Sequence, residues 1–207
     1  MGVAASVFVV DDDPSVRKSL TRLIESAGYI VEAFASARDF LKAATAGRPC
    51  CLVLDVRMPG MTGLDLQRTL AQAVHRIPIV FVTGQGDIPM TVTAMKAGAV
   101  DFLTKPFAAR DLLDAVQRAV EKDTRNLGTE ARSRSLHARV KTLTPRERQV
   151  FALVVTGMLN KQIAAQLNVV EKTVKVHRAR VMDKMRAGSF AELVRLADAA
   201  GVIVAQT

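Results

Sequence analysis

The chain has 207 residues, 49% of them hydrophobic, with no Trp, one Tyr and a formal net charge of +9. That length holds one large or two ordinary domains, and no apolar stretch is long enough to cross a bilayer as a helix. The adjacent cysteines Cys50 and Cys51 exclude a disulfide framework and a zinc site. The short apolar run near the N-terminus has no basic region before it and three Asp after it, so it is not expected to act as a signal peptide. A soluble protein of a reducing cytoplasm is expected. Its charge is uneven: residues 1–122 carry 14 Lys and Arg against 13 Asp and Glu, whereas residues 123–207 carry 15 against 7. Only the second half is expected to meet a polyanion.

In chain order, Val7–Val10 reads as a buried strand running into Asp11, Asp12 and Asp13. Asp13 at the cap and Pro14 at the first position start a helix with Val16, Leu20, Leu23, Ile24 and Ala27 on one face, and Gly28 ends it. A strand over Tyr29–Ala33 and a helix over Ala37–Ala44 follow. Strand Cys50–Leu54 runs into Asp55, ahead of helix Gly63–Ala73. Strand Ile79–Val82 runs into Thr83 and Gly84, ahead of helix Ile88–Ala97. Strand Val100–Leu103 runs into Thr104, Lys105 and Pro106, and a helix fits Ala108–Val120. Five β-α units in succession read as a parallel sheet covered by helices on both faces, and strands that are nearly all apolar suit that burial.

Ligands of open parallel sheets lie beyond the carboxyl ends of the strands. The residues there are acids suited to a hard divalent cation such as Mg²⁺, with a hydroxyl and an ammonium suited to a phosphoryl group. Singly, each has an ordinary use as a helix cap or a turn. Together they point to phosphorylation of a carboxylate.

Residues 122–141 read as a linker, of which Thr129–Val140 can form helix. Thr144, Pro145 and Glu147 make a capping box that opens a helix ending at Gly157. Asn160 then caps Lys161–Leu167, and Asn168 suits a left-handed turn into the helix Glu171–Met185. Small Ala164 and β-branched Val174 flank that turn as in a helix-turn-helix. The helix after the turn carries Lys172, Lys175, His177, Arg178, Arg180 and Lys184 against Glu171 and Asp183. That excess favours docking in a DNA major groove over a merely solvated face. A last helix, Ser189–Ala200, offers Leu193, Leu196 and Ala197 as a face to pair two subunits.

Four motifs arrive in order: Val9-Val10-Asp11-Asp12-Asp13-Pro14, Leu54-Asp55-Val56-Arg57-Met58-Pro59-Gly60, Val82-Thr83-Gly84 and Lys105-Pro106-Phe107. They resemble a response-regulator receiver domain over residues 5–121. Leu143-Thr144-Pro145-Arg146-Glu147-Arg148, Asn160-Lys161-Gln162-Ile163-Ala164 and the run from Glu171 to Arg180 resemble a LuxR-type DNA-binding domain, placed at 142–204. The whole chain is thus similar to the NarL/FixJ family of two-component response regulators. Gly86-Asp87-Ile88-Pro89-Met90 and the run from Met95 to Phe102 are FixJ-like.

The resemblance implies an α/β, flavodoxin-like five-stranded parallel sheet in the order 2-1-3-4-5, followed by a small all-α, four-helix helix-turn-helix domain. It implies Asp55 as the phosphoacceptor. Mg²⁺ would be held by Asp12, Asp55 and the carbonyl of Arg57, with Asp11 acting through water. Thr83 and Lys105 would bind the phosphoryl oxygens, beside a cis Lys105–Pro106 bond. Thr83 and Phe102 would form the switch pair, Phe102 standing where the family often has Tyr. Lys175, Val176 and Ala179 would face base edges, Thr173, His177 and Arg178 would hold phosphates, and Lys161 would touch the DNA backbone. Several family members have Lys where this chain has Ala179, so their target sequence does not transfer. The implied partners are double-stranded DNA, a sensor histidine kinase, a second copy of the chain on phosphorylation, and RNA polymerase, with no membrane.

Phosphatases of the haloacid dehalogenase type also use a strand-end Asp with Mg²⁺, Thr and Lys. They need a second Asp two residues on as general acid, where this chain has Arg57. No enzyme is expected beyond a receiver that assists its own phosphorylation and dephosphorylation. A phosphorylation-independent regulator is disfavoured by the joint presence of Asp12, Asp55, Thr83 and Lys105, and an RNA-binding output by the helix-turn-helix pattern.

Overall fold

The computed structural model describes residues 5–43, 49–72, 76–84 and 88–202. The chain divides into two compact units, residues 1–127 and 128–207.

In the first unit, β1 (Ser6–Val10), β2 (Ile30–Phe34), β3 (Cys50–Asp55), β4 (Ile79–Thr83) and β5 (Asp101–Thr104) form one parallel sheet. Its order is β2-β1-β3-β4-β5, as expected. The helices are α1 (Pro14–Ser26), α2 (Ala37–Ala43), α3 (Gly63–Ala71), α4 (Ile88–Lys96) and the first part of α5 (Ala109–Lys141). Side chains alternate along each strand. Phe8, Leu52, Leu54 and Phe81 pack with Phe40 and Leu66 on one face. Val7, Val53, Val80 and Val82 pack with Ile24 and Leu112 on the other. Both faces are therefore buried, which is why these strands read as unbroken apolar runs.

Register places the polar strand ends. Val10 pairs with Leu54, so Asp11, just past the end of β1, stands beside Asp55, the last residue of β3. Thr83 pairs with Thr104, so Lys105 follows at the same edge.

The segment 122–141 is not irregular: α5 runs unbroken from Ala109 to Lys141. The stretch contains no Pro and is rich in Lys, Arg, Glu, Ala and Leu, all strong helix formers, while Gly128 costs only about 1 kcal/mol. Its start is also anchored, because buried Asp123 accepts the Cys50 N–H at 2.8 Å.

The second unit packs the end of α5 with α6 (Pro145–Val155), α7 (Asn160–Gln166), α8 (Glu171–Met185) and α9 (Phe190–Ala199). Leu136, Phe151, Ile163, Val174, Met185 and Leu193 lie in its core. The Thr144–Glu147 capping box forms as expected, and Asn168 takes φ 51° in the turn between α7 and α8. Asn160 does not cap α7. It lies inside the helix, and the Gln162 side chain accepts the N–H of Leu159, the true cap position, at 2.7 Å. Nor do Leu193 and Ala197 offer a free pairing face, for both are buried in this unit's own core.

Candidate functional site

At the carboxyl edge of the sheet, Lys105 Nζ donates to Asp11 Oδ2 at 2.7 Å and to Asp55 Oδ1 at 3.2 Å. Both carboxylates are buried. Asp55 Oδ2 accepts the backbone N–H of Arg57 at 2.6 Å. Burial pushes the Asp55 carboxyl above the ordinary range and the nearby Asp11 charge adds to this, while Lys105 and the Arg57 N–H oppose it without cancelling it. For Lys105, burial works against the charge. Its hydrogen bonds and charge pairing with Asp11, then Asp55, outweigh that and hold it above the usual lysine value.

The three acids after β1 are not equivalent. Asp11 Oδ1 accepts the Asp13 N–H at 2.9 Å, so the Asp11 carboxylate is committed on both oxygens. Asp13 caps α1, accepting from the Ser15 hydroxyl and from the Ser15 and Val16 N–H groups, and the Ser15 bonds hold its carboxyl below the usual range. Asp12 is exposed, and among the described residues its carboxylate has no hydrogen-bond partner. Its backbone is held by Arg17, whose Nη1 donates to the carbonyls of Asp11 at 2.7 Å and Asp12 at 2.9 Å.

Among the described residues, no three His, Cys, Asp or Glu side chains stand close enough to cage a metal unaided. Mg²⁺ does not need a cage: it keeps several waters and takes one or two carboxylates. The donors present are hard oxygens, and three acids against the Lys105 ammonium leave negative charge uncompensated. The residues fit that cation.

Thr83 is buried at the end of β4, and its carbonyl accepts the Lys105 N–H at 2.7 Å. Phe102 is half-buried and opposite Phe81 in register, their ring centroids 6.0 Å apart. The Lys105–Pro106 bond is cis, as expected. The FixJ-like residues Gly86 and Asp87 lie outside the described residues.

Sequence reasoning missed two neighbours of this site. Arg17 is one; its only signal is its place in the first turn of the helix capped by Asp13. Gly63 is the other. A Cβ there would stand 2.3 Å from the Asp55 carbonyl oxygen, and the Gly63 N–H donates to Val56 O at 2.9 Å. Only glycine lets α3 start against the backbone of the acceptor residue.

In the second unit, Lys172, Lys175, Val176, Ala179 and Arg180 form an exposed stripe along α8. Lys161 is exposed on α7, while Thr173, His177 and Arg178 are half-buried. Arg178 is engaged within the fold: Nη1 donates to Asn160 Oδ1 at 3.3 Å, and the guanidinium lies 5.5 Å from the Phe190 ring centroid. His177 Nδ1 is buried without a hydrogen-bond partner among the described residues.

Part of the basic surplus is structural. Lys184 turns inward to Glu147 Oε2 at 2.6 Å and Thr142 O at 3.1 Å. Arg146 donates to Leu167 O at 2.6 Å and Arg139 to Met185 O at 3.2 Å, cations set on carbonyls at helix C-termini. Among the described residues, no helix is long and apolar enough to cross a membrane.

A doubly wound sheet with acids and Lys at one edge, joined to a helix-turn-helix, defines a receiver coupled to a DNA-binding output. Residues 7–117 match the response regulator receiver domain, and residues 141–197 match the bacterial regulatory proteins of the luxR family. The chain belongs to the NarL/FixJ family of two-component response regulators, which are DNA-binding regulators of transcription. It is 52% identical to nodulation protein W of Bradyrhizobium diazoefficiens over 96% of its length and 87% of that protein. It is 42% identical to the transcriptional regulatory protein FixJ of the same organism, over 98% and 99%. The solved structure of the response regulator StyR superposes with a TM-score of 0.85 at 47% identity, covering 95% of this chain and 99% of that one.

Proposed function

We propose that a sensor histidine kinase phosphorylates Asp55 and that the modified receiver dimerises, raising the affinity of α8 for DNA. The observation that carries this reading is the convergence of Asp11, Asp55 and Lys105 on one point of a receiver edge. Buried Asp55, raised in proton affinity, is the nucleophile. Its carboxylate oxygen forms a bond to phosphorus as the bond from phosphorus to the kinase histidine nitrogen breaks, and the imidazole leaves with the electron pair. Lys105 keeps its charge and exchanges a carboxylate oxygen for a phosphoryl oxygen. The Thr83 hydroxyl donates to another, and Phe102 repacks behind it. Mg²⁺, held by Asp12, Asp55 and the Arg57 carbonyl with Asp11 through water, would neutralise charge on the transferred group when bound.

The α4 surface supports dimerisation on the face formed by α4 and β5. Ile88, Val92 and Met95 share one side of that helix and are 81%, 44% and 42% exposed. A second copy on this apolar face would turn two modest DNA contacts into one tight one. On α8, Lys175, Val176 and Ala179 face the bases, with Lys161, Thr173 and His177 on the backbone; Arg178 reaches a phosphate only by leaving Asn160. Residues 5–121 and 142–204 act as the receiver and output domains, with RNA polymerase as the downstream partner.

The test is DNA binding and association state with and without acetyl phosphate and Mg²⁺, for wild type and Asp55→Asn. Wild type should dimerise and bind more tightly on phosphodonor addition while Asp55→Asn does not respond. An equal response, or none in a labelled wild type, refutes the reading.

A further inference from the structure

We infer that Arg17 is a positioning residue for the divalent cation: it clamps the backbone of the acidic loop and thereby aims the Asp12 carboxylate. The inference rests on the reading that this site binds Mg²⁺. Three residues, Asp11–Asp13, connect β1 to α1. The Asp11 and Asp12 carbonyls fall beyond the last β1–β3 pair, Val10 with Leu54, so the sheet leaves them without a donor. Arg17 supplies one donor nitrogen to both, at 2.7 and 2.9 Å.

These carbonyls belong to the two peptide planes on either side of the Asp12 Cα. Planar peptides leave only φ and ψ soft, so orienting both planes fixes the direction of the Asp12 Cα–Cβ bond. Among the described residues only Arg17 bonds the Asp11–Asp12 plane, while the Asp12–Asp13 plane is also held by the Asp13 N–H on Asp11 Oδ1 at 2.9 Å. Lys105 and the Asp13 N–H hold the Asp11 carboxylate, Ser15 and Val16 hold that of Asp13, and the Asp12 carboxylate itself has no partner among the described residues. Outer contacts of this kind determine where a ligand oxygen stands.

Charge and position make opposite predictions. A guanidinium beside a cation site repels the cation, so a purely electrostatic Arg17 would bind Mg²⁺ more tightly once neutralised. A clamp would bind it more weakly. Calorimetric titration of Mg²⁺ into the unphosphorylated full chain separates them. For Arg17→Gln the dissociation constant is expected to rise roughly tenfold or more, with the acetyl phosphate labelling rate restored at saturating Mg²⁺. Arg17→Lys keeps the charge but ends in a shorter side chain whose ammonium does not reach the place of Nη1, and is expected to weaken binding in the same direction. It carries the test if Arg17→Gln does not fold. Unchanged or tighter binding in the folded variant overturns the clamp while wild-type binding stands. Wild type that takes up no Mg²⁺ overturns the reading of the site and the clamp with it.

Discussion

The Glu147 carboxylate at the head of α6 and the Lys184 ammonium in the last turn of α8 meet at 2.6 Å. The same carboxylate accepts the Thr144 N–H at 2.9 Å, so one buried acid closes a capping box and ties down α8. The Lys184 hydrogen bond first, then that of Thr144, pull its pKa from 4.5 to about 2. The folded carboxyl thus binds its proton more weakly than the unfolded one. The stabilisation is complete above 4.5 and is lost as pH falls toward about 2. Glu147→Gln is expected to cost about 2 kcal/mol at neutral pH and to flatten the acid dependence. Hydrogen exchange of α6 and α8 amides on either side of pH 4.5 checks both.

Lys105→Met leaves Asp11 and Asp55 buried without their cation. A loss of about 3 kcal/mol is expected, because the remaining carboxylates keep their desolvation cost. Urea titrations with and without Mg²⁺ should show the metal recovering more stability in the variant than in wild type.

Asp55 has the opposite linkage from Glu147. Its folded carboxyl binds the proton more tightly than the unfolded one, so it is neutral in its effect well below 3.8 and costs stability as pH rises through the window above. Asp55→Asn is expected to raise the melting temperature at neutral pH and leave it nearly unchanged in acid. Thermal melts across that range decide the matter.

Gly63→Ala drives a methyl group into the Asp55 carbonyl, whose oxygen is backbone and cannot swing away. Roughly 2 kcal/mol of destabilisation is expected, together with slower labelling of Asp55 by acetyl phosphate. Normal labelling kinetics would show that the contact does not bear on the acceptor.

Two cations of α8 should separate cleanly. Lys175 is exposed, and Lys175→Ala should lower the slope of log affinity against log salt by about 0.9 while the melting curve stays put. Arg178 stacks on Phe190 and bonds Asn160, so Arg178→Ala should cost about 1 kcal/mol of stability. Salt titrations of DNA binding beside melts of each variant read both effects.

The sequence by itself determined what depends on short-range chemistry. Apolar runs alternating with amphipathic helices defined the doubly wound sheet, Thr144 and Glu147 marked a helix start, and Asn168 marked a left-handed turn. These signals survive without tertiary context because caps and periodicity act within a few residues. Tertiary structure decided what long-range pairing controls. The β1–β3 and β4–β5 registers set Lys105 between Asp11 and Asp55, and Arg17 turns back over the loop before its own helix. Lys184 reaches Glu147 across the chain instead of facing solvent, and Leu193 and Ala197 go into the core. Within 122–141 the sequence marked only 129–140 as able to form helix, since the anchor of the earlier part, Asp123 on the Cys50 N–H, joins residues far apart in sequence. A charge or a methyl group has the same identity on a surface as in a core; only the packing around it determines which it serves.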